Sequence, residues 1–437
     1  MVSAYANGSY VRFHMPGHGG KNNCYDLCDI FGCDVTENSE TDNLYAPSLN
    51  GPVEKTLKKI SDIYGSGTCV VSAHGATTAI RTAVYACTIL KGRNFLLHRC
   101  VHTSVINSLA LCGCDFCFFS SFEEFKTLIE SRSNTTVIIT SPDYYGKMED
   151  VSSYVGLCNK NNSFLIVDNS HGAHLHWCGK SLHPVAAGAH FCIDSAHKTL
   201  PVLTGGAILH SNVCDRELLL SGMRLFNSTS PSYLIAASVD RAMDYMKKHG
   251  KQVTDALIKR IETFEKSILS CGIKRERFKF YDPCRITLVS DEISGKYYDM
   301  EAFSRYLQKN KIIVEFATAD RCVLIPSFFT TDYEFEKLTD TVLNFVKEFE
   351  PTAVLSSLDG YPVCKRALRL FDAVFAKKTP LNVNLAKGAV SAETKYIYPP
   401  GIPIVTPGDV IDEAVIKILL KNNITEIDVV DNEKGYT

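Results

Sequence analysis

The 437-residue chain lacks several features, and each absence narrows what it can be. No stretch approaches about 18 consecutive apolar residues, so no membrane-spanning helix is expected. The formal net charge is only −2, which argues against a nucleic-acid binder, since such proteins carry a basic excess or stripe. No G-x-G-x-x-G follows a strand and no Walker A lysine motif occurs, which counts against dinucleotide and P-loop readings. No internal repeat or low-complexity tract is visible. The N-terminal Met1-Val-Ser-Ala-Tyr-Ala-Asn-Gly8 lacks the basic and apolar regions of a signal peptide, so the expected location is the cytoplasm.

Cysteine, by contrast, is plentiful: 17 residues, an odd count. Cys69, Cys87, Cys100, Cys192 and Cys271 lie in apolar segments instead of framing short loops. Free thiols in a reducing compartment are expected, not a disulfide scaffold. Two local groups, Cys24/Cys28/Cys33 and Cys112/Cys114/Cys117, lack the paired C-x2-C spacing of zinc modules. They read as small core residues, and no metal is expected.

Hydrophobic content of 45% and charged content of 22% are ordinary for a globular protein, and the length suggests a large domain with a smaller one. From about residue 68 to 210, short β-rich runs alternate with helical stretches. Thr68-Cys-Val-Val-Ser, Asn94-Phe-Leu-Leu, Phe116-Cys-Phe-Phe, Thr136-Val-Ile-Ile-Thr and Ser163-Phe-Leu-Ile-Val-Asp168 read as strands. Helices are expected over 76–90, 104–111, 122–130 and 151–160 between them. Strands apolar along their length and separated by helices imply a mostly parallel sheet covered on both faces. A helix is expected from Tyr233 to about Leu269, because Ile235, Val239, Ala242 and Met246 share one face. Strands at Arg285-Ile-Thr-Leu-Val and Arg321-Cys-Val-Leu-Ile, with helices at 300–309 and 333–350, then suggest a smaller α+β domain. The Pro399-Pro-Gly-Ile-Pro403 segment reads as a rigid non-helical strip. The expected division is 1–50, an N-terminal segment; 51–245, the large domain; and 246–437, the C-terminal part.

Two residues in this frame form a chemical pair. Phe164-Leu-Ile-Val-Asp168 delivers a carboxylate at a strand end, and about thirty residues later Ser195-Ala-His-Lys198-Thr delivers an amine. In parallel α/β sheets, active sites lie beyond the C-terminal ends of the strands. Pyridoxal 5'-phosphate chemistry needs this pairing: an amine to hold the cofactor covalently and an anion to keep its ring nitrogen protonated. Gly75-Ala76-Thr77-Thr78 opens a helix directly after a strand, where backbone N–H groups and hydroxyls can hold a phosphate without a basic residue. Ser195 could add a contact from the opposite side. His102 could stack on the cofactor ring. His171 would sit near the ring or the substrate carboxylate, and His197 could take part in proton transfer.

A series of motifs carries a family resemblance. It runs through Arg12-Phe-His-Met-Pro-Gly-His18-Gly-Gly, Thr41-Asp-Asn-Leu-Tyr-Ala-Pro47, Gly51-Pro and His102-Thr-Ser-Val-Ile-Asn. Ser141-Pro-Asp-Tyr-Tyr-Gly146, Val167-Asp-Asn-Ser-His-Gly-Ala-His174 and Ser195-Ala-His-Lys-Thr-Leu-Pro201 continue it. Thr229-Ser-Pro-Ser-Tyr233, Ser391-Ala-Glu393 and Tyr398-Pro-Pro-Gly-Ile-Pro403 complete it. In this order the motifs resemble the ornithine/lysine/arginine decarboxylases, a pyridoxal-phosphate-dependent group with the aspartate-aminotransferase-type fold.

The resemblance implies that Lys198 binds the cofactor covalently, Asp168 partners the pyridinium nitrogen and His102 stacks on the ring. Ala76, Thr77, Ser195 and His197 would bind phosphate, and Thr229 or Ser230 would reach the cofactor of a partner subunit in a homodimer. The implied reaction is decarboxylation of a basic L-amino acid in polyamine biosynthesis, with Glu393 as a candidate partner for the distal cation of the substrate. The first motif reads His-Gly-Gly-Lys where the family usually has His-Lys-Gly-Gly, and Asn169-Ser170 replaces the common Glu-Ala. The expected form is the short one, without an N-terminal receiver-like domain. Competing expectations are another reaction of the same cofactor, such as transamination, and a catalytically silent homologue. An aminotransferase would hold the substrate carboxylate with a small-domain arginine, but Arg285, Arg321, Arg366 and Arg369 stand in no motif that assigns that role.

Overall fold

The computed structural model describes residues 11–14, 35, 42–352, 362, 364–397 and 401–431. Residues 15–20 of the first motif, Thr41, the Cys24/Cys28/Cys33 group and residues 398–400 lie outside the described residues.

Along the chain, β1 (Val11–Phe13) is followed by α1 (Pro52–Tyr64). A first-turn proline opens α1, and Gly65, in the left-handed region at φ 73°, closes it. Then come β2 (Thr68–Ser72), α2 (Gly75–Lys91), β3 (Asn94–His98), α3 (Thr103–Leu111), β4 (Asp115–Phe119) and α4 (Phe122–Glu130). The alternation continues with β5 (Thr136–Thr140), α5 (Val151–Lys160) and β6 (Phe164–Asp168). A 3-10 turn at Ala173–Trp177 leads to β7 (Phe191–Asp194), α6 (Ala196–Thr199), β8 (Ala207–Ser211) and α7 (Arg216–Phe226). The 35-residue α8 (Tyr233–Ser267) buries Val239, Ala242, Met243, Met246, Leu257, Ile261 and Phe264 along one face. After it lie β9 (Ile273–Arg275), β10 (Ile286–Ser290), α9 (Met300–Lys309), β11 (Ile312–Val314), β12 (Phe316–Ala317), β13 (Arg321–Leu324) and α10 (Asp332–Glu348). The last elements are α11 (Leu370–Phe375), β14 (Lys378–Asn382), β15 (Lys395–Ile397), β16 (Ile402–Val405), α12 (Glu413–Lys421) and β17 (Glu426–Val430).

Most expected elements are present within two residues of their bounds. α10 begins one residue earlier than the apolar pattern suggests, because Thr331 and Glu334 form a reciprocal capping box ahead of it. β8 and the strand pairs near the C-terminus carry no strong periodicity and were not foreseen. Of the proline-rich strip, the described part runs into β16.

The chain forms two compact units, Met1–Ala79 with Ser141–Val151 and Asn169–Ser357, and Ile80–Thr140 with Ser152–Asp168 and Leu358–Thr437. In the second unit β6, β5, β3 and β4 lie side by side and run parallel. β5 is buried along most of its length, whereas the edge strand β4 exposes Asp115 and Cys117. This unit also pairs β14 with β17 and β15 with β16, both antiparallel, over a core of Ile404, Val405, Val415, Leu419 and Ile427.

In the first unit β8 runs antiparallel to both β2 and β7. β12, β13, β10 and β9 make a four-stranded antiparallel sheet, and β1 pairs in parallel with β11. The only tryptophan of the chain, Trp177, lies against α8 where Gly250 makes room. A Cβ at Gly250 would stand 2.5 Å from the indole ring. Among the described residues no helix is long and apolar enough to cross a membrane.

Candidate active site

Lys198 sits on the single turn α6, immediately after β7. Its backbone N–H bonds to Ser195 O at 2.9 Å, and Leu200 N bonds to Ala196 O at 2.8 Å, which fixes the turn. Lys198 Nζ lies 3.0 Å from His171 Nε2. On the far side of that ring, Arg285 NH2 lies 3.2 Å from Nδ1. These two contacts are compatible with one arrangement of protons. A guanidinium has donors and no acceptor, so Nδ1 must accept and the imidazole proton must be on Nε2. Nε2–H then donates to Lys198 Nζ, which can accept only as a neutral amine. That is the nucleophilic form.

The ring of Tyr144 covers this group: its centroid is 4.4 Å from that of His171 and 5.5 Å from Lys198 Nζ. Tyr144 belongs to the Ser141–Gly146 loop. Asp143 in the same loop accepts from Tyr145 N and Lys147 N, both at 2.9 Å. Burial pushes the Asp143 carboxyl up to about 6 despite these two bonds. Arg285 is not a free cation, because Asp282 Oδ2 lies 4.0 Å from its Nε. This weakens the case for Arg285 as the carboxylate-holding arginine of an aminotransferase.

A glycine turn joins the lysine to the start of α2. Gly75 N donates to Gly205 O at 2.7 Å, and His197 N donates to Gly206 O at 3.2 Å. His197 Nδ1 also lies 3.1 Å from Gly206 O and 3.4 Å from Ser195 Oγ. Gly205 has φ 101°, and a Cβ there would stand 3.2 Å from Ala73 O. Ala76 and Thr77 thus open α2 beside the turn that carries Ser195 and His197. The first turn of α2 contains no acid, and a Cβ at Gly75 would meet nothing within 4 Å. An open helix start free of negative charge suits an anion.

The other expected residues fall as follows. Asp168 ends β6 in the second unit, is 2% exposed, and pairs in register with Thr140. His102, in the same unit, caps α3: its Nδ1 accepts from Ser104 N at 3.1 Å, which fixes the ring. Thr229 and Ser230 are exposed between α7 and α8. Glu393 Oε1 accepts from Asp428 N at 2.6 Å and meets Lys395 Nζ at 2.8 Å. Cys112, Cys114 and Cys117 are free thiols, and burial pushes Cys112 up to about 12.

Sequence reasoning did not assign Tyr144 or Arg285. Tyr144 stood inside a quoted motif, whereas Arg285 lies 114 residues from the histidine it holds. Pyridoxal phosphate requires a covalent amine and an uncrowded set of phosphate donors, and the first unit supplies both. The buried carboxylate of Asp168 has the chemistry its ring nitrogen needs. The residues present fit the group.

A family model described as the Orn/Lys/Arg decarboxylase major domain matches residues 121–325. The chain is 26% identical to an arginine decarboxylase of Bacillus subtilis, covering 96% of this chain and 92% of that one. It is 24% identical to an arginine decarboxylase of Halalkalibacterium halodurans, covering 97% and 92%. Among solved structures it is similar to a lysine decarboxylase of Francisella novicida, with a TM-score of 0.74, 16% identity, and coverage of 98% and 80%. The fold is the α/β fold of the pyridoxal-phosphate-dependent transferases, as the motif resemblance implied. Over residues 121–325, and in the order of its motifs, the chain is similar to the Orn/Lys/Arg decarboxylase family.

Proposed function

We propose that the chain decarboxylates L-arginine, or failing that another basic L-amino acid, with pyridoxal 5'-phosphate bound through Lys198. The Arg285–His171–Lys198 series is the observation that carries this reading, because it suits a neutral, nucleophilic lysine amine. The names of the curated relatives favour arginine. When bound, the cofactor supplies an electron sink for the pair left behind as carbon dioxide departs.

The protein's own groups do the rest. Lys198 Nζ would hold the cofactor covalently. Asp168 holds the proton on the ring nitrogen, and His102, fixed as a helix cap, stacks on the ring. Backbone N–H groups of Ala76 and Thr77, with Ser195 and His197, take the phosphate. Once the carboxylate has left, Lys198 Nζ and His171 Nε2–H form a two-member proton store for Cα. Thr229 and Ser230 reach the cofactor of a second copy in a homodimer. For Glu393 to meet the distal cation of the substrate, that cation must replace Lys395. We assign the enzyme to polyamine synthesis in the cytoplasm, where its free thiols stay reduced.

Carbon dioxide release from arginine, lysine and ornithine, measured in parallel on the cofactor-loaded protein, tests the reading. Arginine should give the highest kcat/KM. If none is decarboxylated and an α-keto acid accelerates turnover, the enzyme is an aminotransferase.

A further inference from the structure

The first unit buries a group of side chains that the proposed reaction does not use. His174 lies in the 3-10 turn, Cys178 directly follows it, and Cys284 stands two residues before β10. All three are buried, with exposures of 2%, 1% and 6%. One ligand atom from each, an imidazole nitrogen and two Sγ atoms, lies within 4.8 Å of the others.

The hydrogen bonding of His174 distinguishes this group from ordinary core thiols. Its Nε2–H donates to Asp282 Oδ1 at 2.8 Å, which in the neutral ring makes Nδ1 the nitrogen with the lone pair. That Nδ1 is buried and has no hydrogen-bond partner. A buried histidine with one N–H held by a carboxylate, its other nitrogen unbonded and two thiols close by has the donor set of a metal ligand with its supporting carboxylate. A small cavity of about 10 Å³ adjoins His174, Cys284, Asp282 and Arg285, enough for one water-sized occupant.

We propose that His174 Nδ1, Cys178 Sγ and Cys284 Sγ bind one zinc ion, with a water in the cavity as fourth ligand. Zinc takes sulfur at about 2.3 Å and imidazole nitrogen at about 2.0 Å, so its tetrahedral ligands stand roughly 3.3–3.8 Å apart, inside the observed spread. Two thiolates balance the ion, while Asp282 balances Arg285, so no net charge is buried. Each thiol releases its proton to solvent on binding, and nothing is oxidised. The ion would clamp the 3-10 turn to the Asp282–Arg285 segment, more than 100 residues further along the chain, and so steady the arginine that holds His171. The proposal stands apart from the decarboxylase reading, because metal content is measured without substrate.

The full chain, stripped of metal under reducing conditions, is titrated with zinc against a chromophoric chelator and separately loaded with cobalt(II). We expect one zinc per chain, and for cobalt a thiolate charge-transfer band with the intense visible bands of a tetrahedral site. Cys178→Ser with Cys284→Ser should lower the stoichiometry at least tenfold, whereas Cys322→Ser should leave it unchanged. If the double variant does not fold, the wild-type cobalt spectrum decides alone. No saturable binding by the wild type overturns the proposal, as does metal retained by a folded double variant or a Cys178–Cys284 disulfide in the reduced preparation.

Discussion

Two buried histidine groups lie in the same unit and differ in how completely they are paired. In the first, Asp194 receives His183 Nε2 at 3.0 Å, His210 Nε2 at 3.2 Å and Asn169 Nδ2 at 2.6 Å. The remaining ring nitrogens are engaged as well, His183 Nδ1 by Val185 N and His210 Nδ1 by Ser66 Oγ. Burial alone would raise the Asp194 carboxyl, but the two histidines hold it well below the usual range. Burial keeps His210 on the neutral side. In the second group His174 satisfies one nitrogen on Asp282 and leaves the other without a hydrogen bond, with two thiols close by. A closed polar group supports the fold, whereas an open one of the same residue types marks a place for a ligand.

The largest effect should come from opening the closed group. Asp194→Ala leaves three buried donors without an acceptor and should cost about 3–5 kcal/mol in urea unfolding, with zinc binding unchanged in the folded fraction. The Asp194 contribution is present above the ordinary carboxylate value and is lost as pH falls through the depressed folded value. The acid limb of stability should therefore flatten in this variant.

His174→Ala removes a group already half-unpaired and should cost less, about 1–3 kcal/mol in the metal-free protein. Its deficit against the wild type should widen when zinc is added, because only the wild type gains binding energy. An equal deficit with and without zinc would erase the distinction between the two groups.

Arg285→Met tests the neighbour of the open group. His171 would no longer be obliged to keep its proton on Nε2, so Lys198 could hold its own proton more often. We expect kcat/KM to fall about tenfold and the acid limb of the rate profile to move to higher pH. A uniform loss at all pH values would indicate a packing role only.

An effect confined to a narrow pH window concerns Asp143, which has two backbone donors where Asp194 has three side-chain donors. Its carboxyl is raised from 3.8 to about 6. Its contribution to stability is therefore full below 3.8, declines as pH rises, and is gone above about 6. Asp143→Asn should remove that decline, a difference of about 3 kcal/mol between the two ends of the window.

The alternation of strands and helices was readable because each segment carries its own period. Lys198 and Asp168 could be singled out because each follows an apolar run that ends where such sites form. The groups that set their chemistry were not. Arg285 meets His171 across 114 residues, and Asp282 meets His174 across 108, with no local pattern to announce either contact. Cys178 and Cys284 lack the short spacing by which metal ligands are recognised, since the fold, not the local sequence, brings them together. β8 escaped notice because its partners, β2 and β7, lie far from it or run against it.

The central claim is that Lys198 presents a neutral amine for covalent capture of the cofactor. Borohydride reduction of the pyridoxal-phosphate-loaded protein, followed by peptide mapping, tests it directly. The account predicts one reduced cofactor per chain, on Lys198, with labelling and turnover both abolished in Lys198→Ala. A label on another lysine, no label at all, or full decarboxylation by Lys198→Ala would contradict it.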